Sequence, residues 1–292
     1  MSICNGRTVI ITGAGAGLGR EQALAFAAEG ANIIVNDIKR ENADAVAAEI
    51  VQSGAQALAN SDDITSMDGA QKIVDAAVAK FGDVQVIVNN AGIVRDRMFV
   101  SLSEEDWDAV IRVHLRGHFC LAQILARRWR DQSKAGQKVD ARIINTSSGA
   151  GLQGSVGQTN YGAAKAGIAT LTIIQGAELG RYGITANAIA PAARTGMTEP
   201  VFGSVMKKPE DGSFDFFHPG NVAPLVVWLG SPLSAHVTGR VFEVAGGQVS
   251  VADGWRTGPR RDNKARWKPA ELTDAINAIL KDAVPPQKVY GT

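Results

Sequence analysis

The sequence predicts an α/β protein built on one doubly wound parallel sheet with helices on both faces. Two observations predict it. Short apolar runs, among them Val9-Ile10-Ile11, Ile33-Ile34-Val35 and Ile184 to Ile189, alternate with helical patterns through the first 245 of 292 positions. Strands that are apolar at every position, rather than at every second one, are buried on both faces, as in a parallel sheet. Second, the first run enters a glycine-rich turn, Thr12-Gly13-Ala14-Gly15-Ala16-Gly17-Leu18-Gly19, and then an alanine-rich helix. That order of strand, loop and helix is a phosphate-binding turn of this fold class.

The helix after the glycine turn runs from about Arg20 to Glu29, and Gly30 ends it. Ile33 to Val35 forms the second strand and closes on Asn36-Asp37. A helix with apolar positions Val46, Ile50 and Val51 follows, then a strand over Ala55 to Ala59, ahead of Asp62-Asp63-Ile64. Another helix leads to Phe81-Gly82, and Val84 to Val88 runs into Asn89-Asn90-Ala91-Gly92. Ser103 to Arg130 reads as one long helix, opened by Ser103 and Asp106 at capping-box spacing. The strand at Ile143-Ile144, the helix carrying Tyr161 and the strand Ile184 to Ile189 complete the pattern. No low-complexity linker or internal repeat divides it. Residues 1–247 are expected to form one domain, with 248–292 an extension packed on that domain or on a partner subunit.

Composition narrows the function classes. Hydrophobic residues make up 45%, and the formal net charge of +1 gives no electrostatic reason to expect nucleic acid or an acidic membrane as partner. No apolar run approaches the roughly 18 residues that span a bilayer. The N-terminus lacks the basic and long apolar regions of a secretory signal, and the final Val-Tyr-Gly-Thr is no peroxisomal address. Two cysteines, Cys4 and Cys120, imply no disulfide framework. A cytoplasmic protein is expected, with no metal.

The chemistry centres on Ser147 to Lys165. Tyr161 and Lys165 are four apart and share one helix face, and Ser148 stands thirteen positions before the tyrosine (161 − 148). A phenol has a pKa near ~10 and is a poor base at neutral pH, but an ammonium alongside favours phenolate. In the glycine loop, backbone N–H groups and a helix N-terminus would face a pyrophosphate. Asp37 ends the second strand 24 positions after Gly13 (37 − 13), where a carboxylate accepts hydrogen bonds from adenosine ribose hydroxyls. It would repel a 2′-phosphate, and no arginine stands at or just before it. NAD is therefore expected rather than NADP, although Lys39 and Arg40 follow closely.

Four signatures in order, Thr12-Gly13-x-x-x-Gly17-x-Gly19, Asn89-Asn90-Ala91-Gly92, Ser148 and Tyr161-x-x-x-Lys165, resemble those of the short-chain dehydrogenase/reductase family over roughly residues 5–247. The resemblance implies a Rossmann-type seven-stranded sheet in the order 3-2-1-4-5-6-7, with NAD(P) across the strand C-termini. It implies Tyr161 as general acid/base, Lys165 as the group that lowers its pKa and holds the nicotinamide ribose, and Ser148 as the hydrogen-bond partner of the substrate oxygen. Gly13, Gly17, Leu18 and Gly19 would hold the pyrophosphate. Asp63-Ile64 would border the adenine, with Asp62 in place of Asp63 after a one-residue slip. Asn90, Gly92 and Thr195 would line the nicotinamide side.

Two departures from the family pattern are visible. His114, in Val113-His114-Leu115-Arg116-Gly117, takes the place of the family's asparagine in a proton relay through the lysine. The family's Pro-Gly after the sixth strand becomes Pro191-Ala192-Ala193-Arg194-Thr195. Together with Arg95-Asp96-Arg97 and Val222 to Leu229, these runs resemble the branch represented by the dehydrogenase part of multifunctional enzyme type 2, which acts on (3R)-hydroxyacyl-CoA. The further modules of that enzyme have no counterpart here, so a stand-alone dehydrogenase is expected.

The resemblance implies NAD-dependent oxidation of a secondary alcohol, with (3R)-hydroxyacyl-CoA as substrate and a 17β-hydroxysteroid as the alternative. A non-catalytic NAD-binding regulator is the remote third. Leu152 to Gln158 and Met197 to Pro219 are expected to shape the substrate pocket, the latter through Phe202, Met206, Phe214, Phe216 and Phe217. The basic stretch from Arg256 to Lys268 would meet coenzyme A phosphates or cover a partner subunit. A homodimer or homotetramer through the helices at 103–130 and 158–180 is implied by family.

Overall fold

A computed structural model describes residues 2–199, 203–287 and 289. Its centre is an eight-stranded sheet: β1 (Thr8–Thr12), β2 (Asn32–Asn36), β3 (Gln56–Asn60), β4 (Val86–Asn89), β5 (Ala141–Thr146), β6 (Ile184–Pro191), β7 (Arg240–Ala245) and β8 (Gln248–Val251). The order is β3-β2-β1-β4-β5-β6-β7-β8, with all pairs parallel except the last. The expected sheet had seven strands. The eighth arises because the chain reverses in two residues at Gly246-Gly247, pairing Ala245 with Gln248. Gly246 has φ 54°, which a side chain rarely adopts.

The continuous apolar strands are explained by two cores. Val9 and Ile11 of β1 point into one cluster with Phe26, Val46 and Ile50, while Ile10 points into the other with Ile73, Leu125 and Trp129. Each fully buried isoleucine or valine contributes about 1.5–3 kcal/mol, so both faces are needed to hold the sheet. The first cluster is closed by α1 (Gly17–Ala28), α2 (Arg40–Gln52) and α8 (Ala223–Gly230), and the second by α3 (Met67–Phe81) and α5 (Gly117–Lys134). Of the apolar positions expected on α2, Val46 and Ile50 are buried and Val51 is exposed.

At the carboxyl ends of the strands the core becomes polar. Asn36 and Asn60 face each other on β2 and β3, and Asn36 Nδ2 donates to Asn60 Oδ1 at 2.9 Å. Asn89 and Asn145 do the same on β4 and β5 at 3.0 Å. All four are buried. In open α/β sheets this edge is where ligands bind.

The long helix expected at 103–130 is divided. It comprises α4 (Glu104–Ile111), a π-helical turn over Arg112–Arg116, and α5. Ser103 caps α4 as its spacing predicts, accepting the Asp106 N–H at 3.2 Å. The π turn carries the extra residue that lets His114 face inward on the Ile93 peptide while Leu115 stays packed on Gly167. α6 (Gly149–Gln153) and α7 (Thr159–Leu179) complete this side. Beyond β8, an amphipathic helix α9 (Leu272–Asp282) leaves Leu272, Ile276 and Leu280 exposed. No helix is long and apolar enough to cross a membrane among the described residues.

Candidate active site

The glycine loop joins β1 to α1 with little space to spare. Gly13, at φ 62°, lies against Ala91, where a Cβ would stand 2.8 Å from the alanine Cα. A Cβ on Gly19 would collide with the Gly13 carbonyl. α1 begins at Gly17 with no side-chain cap and no acid in its first turn, so its first N–H groups are open to an anion. The loop is braced from β4. Thr12 Oγ1 accepts the N–H groups of Asn90 and Ala91, both at 3.0 Å, and Asn90 Nδ2 donates to the carbonyls of Thr12 (3.0 Å) and Gly13 (3.3 Å).

Asp37 is tied into this cradle, its Oδ2 accepting the Gly15 N–H and its Oδ1 that of Lys39, each at 3.0 Å. Asp62 Oδ2 accepts Asn60 Nδ2 at 2.7 Å. Asp63 closes its own turn by accepting from Thr65 N–H (2.8 Å) and Oγ1 (2.9 Å). Ile64 is buried. Leu18 packs on the first core cluster, and the Thr195 side chain lies 3.5 Å from where a Cβ on Gly17 would stand. A narrow, uncapped, glycine-lined turn with a carboxylate at the end of β2 fits a dinucleotide. Among the described residues no group of three or more His, Cys, Asp or Glu is arranged to hold a metal.

Tyr161 sits in the first turn of α7, where its N–H is accepted by Asn160 Oδ1 at 2.8 Å. Asn160 is buried and donates to the carbonyls of Arg95 (3.1 Å) and Asp106 (3.2 Å). The loop before it is held by Arg95-Asp96-Arg97. Asp96 accepts Gln158 Nε2 at 3.0 Å, and the Arg97 N–H donates to Gly157 O at 2.9 Å.

Ser148 is the N-cap of α6, and its Oγ accepts the Ala150 N–H at 3.2 Å. One lone pair is thereby engaged and its own O–H is left to donate. α6 packs against α7 so closely that a Cβ on Gly151 would stand 2.6 Å from Ala166 N. Ser147 Oγ donates to Lys165 O at 2.8 Å. The Ser147 bond and the close α6–α7 packing set Ser148 beside the helix that carries Tyr161 and Lys165.

Lys165 is buried. Its Nζ donates to the Thr146 carbonyl at 2.6 Å and lies 5.5 Å from the Tyr161 ring centroid. Burial pushes its pKa down to about 7. His114 is also buried and meets the Tyr161 ring edge-on at 5.2 Å between centroids. Its Nε2 faces both the carbonyl (2.7 Å) and the N–H (3.0 Å) of Ile93, so the tautomer decides which it bonds. Nδ1 is buried with no hydrogen-bond partner among the described residues. Burial, and then the Lys165 charge, push the His114 pKa down to about 3.

Several bracing roles could not be read from the sequence, although Thr12 opens the glycine signature. Thr12 and Asn160 brace the site through bonds 78 and 65 residues apart in sequence, which no local pattern announces. His118, one turn beyond His114, is buried beneath Thr146, and its Nε2 accepts the Thr146 N–H at 3.4 Å. Burial, with Lys165 and His114, holds it well below the usual imidazole range. The i, i+4 spacing of the two histidines was the available signal. Of the residues expected to shape the pocket, Met206 is buried, Phe216 and Phe217 pack edge-on at 5.0 Å, and Phe214 is exposed. Phe202 lies outside the described residues.

A family model described as short chain dehydrogenase matches residues 7–204. The chain belongs to the short-chain dehydrogenase family. It is an oxidoreductase of that family. It is 43% identical over 300 residues to a hydroxyacyl-CoA dehydrogenase of Mycobacterium tuberculosis, ChsB1, covering 99% of this chain and 93% of that one. It is 43% identical over 254 residues to the peroxisomal multifunctional enzyme type 2 of Mus musculus, covering 84% of this chain but 32% of that enzyme. A solved short chain dehydrogenase from Mycobacterium avium superposes with TM-score 0.91 at 52% identity, covering 99% of this chain and 100% of the other. The resemblance seen in the sequence, to the family and to the multifunctional enzyme's dehydrogenase part, is borne out.

Proposed function

We propose that this protein is a NAD-dependent dehydrogenase that oxidises (3R)-hydroxyacyl-CoA to 3-oxoacyl-CoA. The observation that carries the substrate class is the near full-length similarity, in both directions, to a protein named hydroxyacyl-CoA dehydrogenase. The site supports the chemistry. The first turn of α1 and Gly13 to Gly19 would hold the pyrophosphate, Asp37 the adenosine ribose, Asp62 or Asp63 with Ile64 the adenine, and Thr195 with Asn90 and Gly92 the nicotinamide side. NAD, when bound there, supplies the acceptor for the carbinol hydrogen and its two electrons.

The chain's own groups handle the proton. Ser148, with one lone pair engaged by Ala150 N–H, donates its hydroxyl hydrogen to the substrate oxygen. Tyr161 takes the alcohol proton, its phenolate favoured by the desolvated ammonium of Lys165. His114 stays neutral near pH 7, so it passes the proton outward through a bound water rather than by becoming imidazolium. Groups in the same places run the reaction backwards on a ketone.

The groove lined by Ile111, Leu115, Phe119 and Leu171, between α4, α5 and α7, supports a homodimer or homotetramer. The two buried free thiols, Cys4 and Cys120, fit a cytoplasmic setting. The test is initial rates of NAD⁺ and NADP⁺ reduction with (3R)- and (3S)-hydroxyacyl-CoA and with 17β-hydroxysteroids. Faster turnover of the (3R) thioester with NAD⁺ is expected. Preference for the steroid would replace the acyl-CoA reading, and no turnover of any substrate would leave only a binding role.

A further inference from the structure

The loop after β6 and the segment at 203–218 meet at one side chain. Arg194 donates from Nη1 to Asp215 Oδ1 at 3.1 Å and to the Met206 carbonyl at 2.9 Å, while Nη2 pairs with Asp215 Oδ2. Its backbone N–H donates to Phe217 O at 2.8 Å. One residue thus holds the segment at three points. Both side chains of the ion pair keep only 15% exposure.

Other contacts also reach this segment. Asn221 Nδ2 donates to the carbonyls of Asp215 (2.8 Å) and Phe216 (3.1 Å), and the Phe216 ring fills the space a Cβ on Gly246 would need. Val205, Lys207, Lys208 and Phe214 are exposed. On its other side Arg194 adjoins Thr195, whose N–H donates to Thr198 Oγ1 at 2.8 Å and whose side chain stands by Gly17 at the cradle. Solvated ion pairs contribute little. A guanidinium forked onto a carboxylate and a carbonyl, largely shielded from water, fixes geometry in a way a lysine point charge does not.

We propose that Arg194 is a positioning residue that, paired with Asp215, holds residues 203–218 as the wall of the substrate pocket and so sets substrate affinity without setting cofactor affinity. The proposal rests on the proposed function and on the expectation that Met197 to Pro219 shapes its substrate pocket. Loss of the pair frees the segment at its root, so substrate must order it on binding, and the effect falls on KM.

The test uses the full-length enzyme as wild type, Arg194→Gln, Arg194→Lys and Asp215→Asn. Three quantities are measured: the rate of tryptic cleavage after Lys207, KM and kcat for the acyl-CoA substrate, and the NADH dissociation constant. In Arg194→Gln, cleavage and KM are each expected to rise about tenfold, with the NADH constant within about twofold. Asp215→Asn should match it, and Arg194→Lys should fall between it and wild type. If Arg194→Gln loses its cooperative melting transition, Asp215→Asn decides alone. Unchanged cleavage and KM, or equal losses of NADH and substrate affinity, would overturn the proposal. Proteolysis needs no substrate, so a wild-type enzyme inactive on acyl-CoA would sink the proposed function while the cleavage rates still judge Arg194.

Discussion

The ammonium of Lys165 and the ring of Tyr161 lie 5.5 Å apart, nitrogen to centroid, with the lysine buried and donating to the Thr146 carbonyl. A charge at that distance in a desolvated site favours a phenolate more than it would in water. Replacing Tyr161 by Phe keeps the ring against His114 and removes the proton acceptor. Turnover is expected to fall by about 10³-fold or more, with NADH binding by fluorescence unchanged. Appreciable turnover by that variant would reject Tyr161 as the base.

Lys165 also weighs on stability. Its pKa is near 10.5 when unfolded and about 7 in the native site, so between those values the unfolded chain binds the extra proton. Stability therefore rises with pH through that window, and the burial cost is fully present below about pH 7. Lys165→Met should be inactive, yet more stable than wild type near pH 6 by about 2–4 kcal/mol. Urea unfolding of both proteins near pH 6 and pH 9 checks the sign. Equal stability near pH 6 would show that the ammonium is better solvated than its burial implies.

His114 is governed by the same linkage at lower pH. The native pKa of about 3 against an ordinary 6.5 means that stability is lost as pH falls from 6.5 towards 3. His114→Asn should reduce the loss between pH 7 and about 4.5 by about 2–3 kcal/mol, while His118 keeps its own share of the acid sensitivity. For activity, Asn is expected to retain a bond to the Ile93 peptide and most of the rate, whereas Ala is expected to lose it. A fully active His114→Ala would remove His114 from the proton route.

Asp37 is held by two backbone N–H groups from the cradle and its flank. Asp37→Ser is expected to weaken NADH about tenfold and to leave NADPH no worse bound, since the repelling carboxylate is gone. Titration of both cofactors measures the ratio. An unchanged preference would place cofactor choice elsewhere.

What could be read in the sequence was what repeats locally. Val9-Ile10-Ile11 is apolar at each position because alternate side chains serve two cores, and the glycine loop is crowded where Gly19 faces Gly13. What escaped depends on distant residues. The π turn at His114 is set by packing on Ile93 and Gly167, and Arg194 meets Asp215, 21 positions on in the sequence. β8 is a different case: Gly246-Gly247 between valine-containing runs is a hairpin signal present in the sequence.

The paired asparagines at the strand ends have a consequence for folding accuracy. Asn36 opposes Asn60, and Asn89 opposes Asn145, only when both strand pairs are in this register. A slip of one residue would break both carboxamide pairs, at about 1–3 kcal/mol for each buried group left without a partner. These two contacts therefore favour this strand alignment over its neighbours. A chain in this register already holds its strand ends level where the proposed cofactor would lie, before any ligand binds.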